Sequence, residues 1–156
     1  MLDILIHGGR VIDGSGSPWF RAAVGIEGDR VQLLRGDVSS VQARRQINAT
    51  GMVVCPGFID MHSHSGLMLL HYPRNEPKIH QGITTELIGV DGNSYAPFTS
   101  KEDFNQFAIL NSGIDGTPAT DQKWSSVAEH LSKFDGKVAC NVAYVMGNSP
   151  LRISAM

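Results

Sequence analysis

The sequence predicts an α/β chain in two parts, a small β unit followed by the opening of a parallel sheet. Three observations carry this. Residues 1–50 read as short β elements joined by glycine-containing turns, with no convincing helix. From residue 53 apolar strands alternate with helical stretches, the pattern of strands joined by right-handed crossovers. The 156 residues are 42% hydrophobic, enough for a core and short enough that a single domain is the default.

Taken in order, Leu2 to His7 alternates as a first strand, turned by Gly8-Gly9 into Arg10-Val11-Ile12. Asp13 to Pro18 is a loop, dense in residues that tolerate unusual dihedrals. Ala23 to Glu27 and Arg30 to Leu34 form a hairpin about Gly28-Asp29, and Arg44 to Asn48 is a further strand. These elements suit a small β sheet or sandwich. Val53 to His62 then reads as one short buried strand. Asn75 to Gln81 predicts a short helix ended by Gly82, and the β-branched run Ile83 to Ile88 a second strand. Thr99 and Glu102 have the spacing of a capping box, opening a helix to about Leu110 with Phe104, Phe107 and Ala108 on one stripe. Asn111 to Thr120 is a loop. Trp124, Val127, Ala128, Leu131 and Phe134 recur at helical spacing and predict a core-facing helix over 122–134, with Glu129 and His130 turned to solvent. Lys137 to Met146 is a third strand, and Gly147 to Pro150 begins a loop. Three such strands do not close a barrel and leave open edges. The pattern therefore suits the first part of a larger protein better than a finished domain.

The charge balance excludes some partners. With 13 basic and 15 acidic residues the formal net charge is -2, and the basic residues form no long run. Nothing points to nucleic-acid or membrane-surface binding. Arg44-Arg45 reads as a solvated edge, and no apolar stretch approaches the ~18 residues of a membrane span. The start of the chain does not read as a signal peptide, so the cytoplasm is the expected compartment. Cys55 and Cys140 both read as buried thiols.

The chemistry concentrates at Asp60-Met61-His62-Ser63-His64. Histidines at i and i+2 on a strand point to one side and can clasp one metal ion. The carboxyl end of a parallel strand is also where α/β active sites gather. Asp60 either orients an imidazole or holds a backbone N–H at the sheet end; both readings stay open. Asp91 lies in the loop after the second strand, on the same side of the sheet as His64. A plain Asp-Gly turn is its simpler role, and a third metal ligand the alternative. Asn93, Ser94 and Tyr95 in that loop offer polar groups to a substrate. His7, His71, Lys78, His80 and His130 have no ligand spacing.

The segment Pro56-Gly57-Phe58-Ile59-Asp60-Met61-His62-Ser63-His64 resembles the opening signature of the amidohydrolase superfamily. Ile6 to Gly14 and Ile47 to Gly51 are similar to that superfamily's amino-terminal β-sandwich segment. Gln81 to Gly89, Asn93 to Pro97, Asn141 to Gly147 and Leu151-Arg152 resemble its N-acyl-D-amino-acid deacylase branch. The resemblance implies the first three strands of a metal-dependent hydrolase (β/α)8 barrel over 53–156. Residues 1–52 would be part of a small β-sandwich domain. It implies hydrolysis of amide bonds, most specifically deacylation of N-acyl-D-amino acids, with one or two divalent metals, usually zinc. His62 and His64 match the paired strand-one ligands. Asp91 falls where this branch often has a metal-ligating cysteine, and Asn148 where a loop histidine is common. The general-base aspartate and two further histidine ligands are expected beyond Met156, so the segment alone is expected to be inactive. A cyclic amidohydrolase (dihydroorotase- or hydantoinase-like) and a small non-catalytic α/β domain are the alternatives. Acyl preference, stereoselectivity and oligomeric state have no signature here.

Overall fold

The computed structural model describes residues 1–117 and 121–156. The end of the loop expected over Asn111 to Thr120 therefore lies outside the described residues. The chain divides into two compact units, Met1–Pro56 and Gly57–Met156.

The first unit is all β. Strands β1 (Leu2–His7), β4 (Ala23–Glu27), β5 (Arg30–Leu34) and β6 (Ala43–Asn48) form one sheet in the order β5-β4-β1-β6. A smaller sheet has the order β3-β2-β7, from β2 (Arg10–Val11), β3 (Phe20–Arg21) and β7 (Val53–Val54). Leu2, Leu5 and Ala23 form the buried core. Glycine is required at Gly8, which has φ +82° and where a Cβ would stand 2.6 Å from the Thr50 hydroxyl.

The run Val53 to His62 is not one buried strand. Val53-Val54 pairs with β2 in the first unit. The strand restarts as β8 (Phe58–Ser63) after Pro56, which has no N–H to give a ladder. Phe58, Ile59 and Met61 are largely exposed, and β8 is an outer strand of its sheet. Cys55, in the break, is exposed; only Cys140 is buried.

In the second unit a parallel sheet has the order β10-β9-β8, with β9 at Ile83–Ile88 and β10 at Asn141–Tyr144. Helices α1 (Met68–His71) and α2 (Glu76–Ile79) connect β8 to β9. Helices α3 (Lys101–Leu110), α4 (Ser112–Asp115) and α5 (Val127–Leu131) lie between β9 and β10, and α6 (Asn148–Ala155) follows. Phe98, Phe104, Phe107, Trp124, Tyr95 and Leu67 make one buried cluster. Leu69, Ile88, Phe134 and Cys140 make another.

Several boundaries differ from expectation for local reasons. The N-cap of α3 is Ser100, not Thr99: its hydroxyl accepts from the Asp103 N–H at 3.2 Å. The expected helix over 122–134 contracts to five residues. Ser126 and Glu129 form a capping box at its start, with the Ser126 hydroxyl accepting from the Glu129 N–H. Trp124 and Phe134 are still buried, outside the helix. His130 is not solvent-facing but fully buried, stacked on Trp124 at 4.8 Å between ring centroids. The third strand shortens to four residues, and Asn148 opens a helix where a loop was expected.

Candidate metal centre

The alternation of β8 carries His62 and His64 to its carboxyl end, with ring centroids 5.3 Å apart. Beside it, β9 ends at Ile88 and the chain turns sharply. Gly89 has φ +84°, and a Cβ there would lie 2.0 Å from the Val145 carbonyl oxygen, so only glycine fits. A 3-10 turn, Val90–Gly92, follows, in which Asp91 takes the left-handed conformation at φ 57°. Aspartate is among the few non-glycine residues that tolerate it. The loop is pinned at its far end, where Ser94 Oγ accepts from the Gly147 N–H and donates to the Ala96 carbonyl.

The result is a triangle of donor atoms. Asp91 Oδ2 lies 3.1 Å from His62 Nε2 and 3.2 Å from His64 Nε2. The three residues offer ligand atoms that all lie within 4.8 Å of one another. A tetrahedral zinc ion with arms of about 2.0–2.1 Å separates its ligands by about 3.3 Å. The two measured edges are close to that. Two imidazole nitrogens and one carboxylate oxygen are donors that suit zinc and its first-row neighbours. By composition and spacing the residues present fit such an ion.

Asp60 does not reach an imidazole. Its Oδ1 accepts the His62 backbone N–H at 3.1 Å, the second of the two roles left open. Its Oδ2 accepts from Lys78 Nζ at 2.5 Å, and this ammonium holds the carboxyl below its ordinary range. Lys78 also donates to Glu86 Oε2 at 3.0 Å and to Ser63 Oγ at 2.9 Å. Glu86 is fully buried in the middle of β9. Burial alone would raise its pKa, but donors from Ser63, Ser65, Lys78 and Asn75 outweigh burial and leave it lowered. Burial likewise opposes the Lys78 charge, and the two carboxylates overcome it, so its pKa is raised. This cluster underlies the histidine strand. Sequence reasoning missed it, although the one charged residue in a strand rich in β-branched residues is itself a signal.

Ser94 and Tyr95 are buried, and their hydroxyls are committed to protein partners rather than presented to a substrate. Tyr95 donates to Asp115 Oδ2 at 2.5 Å, and burial, with that carboxylate beside it, pushes its pKa up. Asn93 is half-buried in the same loop. Asp115, at the end of α4, is the second residue that sequence reasoning missed. Its Oδ1 lies 2.7 Å from His64 Nδ1, across 51 positions of chain. No local spacing could have indicated it.

Sheet and donor cluster define an α/β protein with a histidine pair and a carboxylate at the carboxyl ends of parallel strands. The sequence profile of the amidohydrolase family matches residues 45–156, and the chain belongs to that family. Its relatives in that family include N-acyl-D-amino-acid deacylases. D-aminoacylase of Alcaligenes xylosoxydans xylosoxydans is 36% identical over 155 residues, covering 99% of this chain and 31% of that protein. The N-acyl-D-glutamate deacylase of the same organism is 38% identical over 156 residues, covering 99% and 30%. A solved structure of N-acyl-D-glutamate deacylase from Bordetella bronchiseptica, complexed with zinc and a phosphonate inhibitor, superposes with a TM-score of 0.83. Its identity is 34%, and the match covers 99% of this chain and 31% of that one. A D-aminoacylase structure superposes with a TM-score of 0.81 at 35% identity, covering 100% and 32%. The chain thus spans about a third of the length of these relatives. Among the described residues no helix is long and apolar enough to cross a membrane.

Proposed function

We propose that this chain is the amino-terminal part of a zinc-dependent amidohydrolase that deacylates N-acyl-D-amino acids. The observation that carries the reading is the triangle of His62, His64 and Asp91, set at adjacent strand ends in a chain of this family. Residues 1–56 form part of a small β-sandwich domain, with Val53-Val54 pairing there with β2. Residues 57–156 supply the first three strands of a (β/α)8 barrel, of which β8, β9 and β10 are the counterparts. The identity to D-aminoacylase and to N-acyl-D-glutamate deacylase supports an N-acyl-D-amino acid as the small-molecule substrate.

His62 and His64 would hold the ion through Nε2, and Asp91 through Oδ2. A zinc ion so held polarises an amide carbonyl and activates water. The chain's own residues keep that site in place. Asp60 fixes the backbone at His62, and the Gly89 turn brings Asp91 to the histidines. Three donors leave a tetrahedral ion an open position. The chain also spans about a third of the length of the relatives it matches, so the 156 residues by themselves are expected to show no turnover.

The test is release of free D-amino acid from N-acetyl-D-amino acids in the presence of zinc. The 156-residue chain should show no turnover, whereas the same chain extended by its following sequence should hydrolyse the D substrates in preference to the L. Robust turnover by the short chain would overturn the partial-site reading. Hydrolysis of cyclic amides alone by the extended protein would overturn the substrate assignment.

A further inference from the structure

The two histidines of the site are held unequally. The His62 side chain is 61% exposed, and its ring partner in the structure is Asp91. The His64 side chain is 23% exposed, and its ring has a partner at each nitrogen: Asp91 at Nε2 and Asp115 at Nδ1. Both oxygens of Asp115 are in use, Oδ1 with His64 and Oδ2 as acceptor from the Tyr95 hydroxyl. A carboxylate only accepts. The hydrogen between Asp115 and His64 therefore belongs to Nδ1, and Nε2 of a neutral ring is left with a lone pair facing Asp91 Oδ2 at 3.2 Å.

We propose that Asp115 is a positioning residue for the metal site, fixing His64 as the Nδ1–H tautomer with its Nε2 lone pair aimed at the ion, and that Tyr95 in turn fixes Asp115. This rests on the metal-site reading above and adds residues to it. The holding is rigid because it is built into the core. Asp115 is 3% exposed and Tyr95 4%. The Trp124 indole N–H donates to the Tyr95 carbonyl at 2.7 Å. The Tyr95 ring meets Phe104 and Phe107 edge-on at 5.9 and 5.8 Å. Gly116, directly after Asp115, has φ +78°, and a Cβ there would meet Met68 Sδ at 2.7 Å. The aromatic core thus sets where the carboxylate sits, and the carboxylate sets which nitrogen of His64 can bind metal. Two acceptors aimed at each other across 3.2 Å repel until a cation lies between them, so the site is arranged in advance for one.

The experiment uses the full chain at pH 8 with two readouts. Long-range proton–nitrogen NMR of the metal-free chain reads the tautomer of each ring. Chelator competition reads the affinity for cobalt(II). His64 should appear as Nδ1–H and His62 as a mixture. Asp115→Asn should turn His64 to Nε2–H, because the amide oxygen will accept from Tyr95 and leave its N–H group facing Nδ1. The same substitution should weaken cobalt binding by roughly 10–100-fold. Tyr95→Phe should keep the tautomer and weaken binding less. A wild-type His64 found as Nε2–H or doubly protonated overturns the proposal, even where Asp115→Asn does not fold. So does a folded Asp115→Asn, checked by circular dichroism, that binds cobalt as the wild type does. Failure of the metal reading itself would look different. The wild type would then bind no cobalt, or His64→Ala would bind it equally well, whatever the NMR shows.

Discussion

Buried among aromatic rings, His130 has neither ring nitrogen hydrogen-bonded within the described structure. Burial therefore drives its pKa from 6.5 down to about 4. The unfolded chain binds a proton in this interval and the folded chain does not, so stability rises with pH between these values. His130's contribution is complete above about 6.5 and lost as pH falls toward 4, amounting to roughly 3 kcal/mol. Glu86 and Asp60, both held below their ordinary values of 4.5 and 3.8, withdraw theirs only at lower pH. Urea denaturation should show a slope in stability between pH 6.5 and 4.5. His130→Phe should abolish that slope at little cost at pH 7, since phenylalanine keeps the stacking and removes the unpartnered nitrogens. An unchanged slope in this variant would place the acid sensitivity elsewhere. At the same scale, Asp91 holds a left-handed backbone that most residues avoid. Asp91→Gly should relieve that backbone and raise or preserve stability while abolishing cobalt binding. A variant that binds cobalt unchanged would remove Asp91 from the site.

Strand β8 and helix α2 are joined by one charged cluster. Lys78 spans Asp60 and Glu86, and it is the only cation among the described residues that pairs with either. Removing it leaves Glu86 buried and ionised without a counter-charge. Lys78→Met should cost about 3 kcal/mol, and adding Glu86→Leu should recover most of the loss. Equal stability of the single and double variants, measured by denaturant unfolding, would argue that the pair is solvated in solution. Helix α5 depends on its cap. Its five residues gain little from propensity, while Ser126 and Glu129 satisfy backbone donors at its start. The Ser125 and Ser126 N–H groups hold the Glu129 carboxyl down to about 2. Ser126→Ala should lower stability by about 1 kcal/mol, read as a shift in the urea midpoint.

The parallel sheet of the second unit has two outer strands, and β8 carries Phe58, Ile59 and Met61 at 58%, 60% and 64% exposure. An apolar outer strand with free backbone groups is a template for pairing. The 156-residue chain should therefore associate with rising concentration in sedimentation experiments. Ile59→Lys with Met61→Lys should shift it toward monomer. A wild-type chain that stays monomeric at high concentration would contradict this.

Strand positions were largely legible because period-two patterning and turn residues act locally: β4, β5 and β9 fall where alternation and β-branched runs put them. Helix extents were less so. Trp124 and Phe134 carry a helical stripe but are buried from irregular backbone, since aromatic packing is satisfied by several conformations. His130 shows the same limit: a polar residue off the stripe reads as exposed until a third element covers it.

By itself the sequence determined that His62 and His64 share one side of a strand, because alternation needs no tertiary information. It also carried the amidohydrolase signature. Only the tertiary structure decided that Asp91 meets both imidazoles, that Asp60 holds a backbone N–H, and that Asp115 grips His64 from 51 positions away. The reason is physical. Faces and turns follow from neighbours in the chain, whereas the partner of a buried charge is chosen by which segments the core brings together.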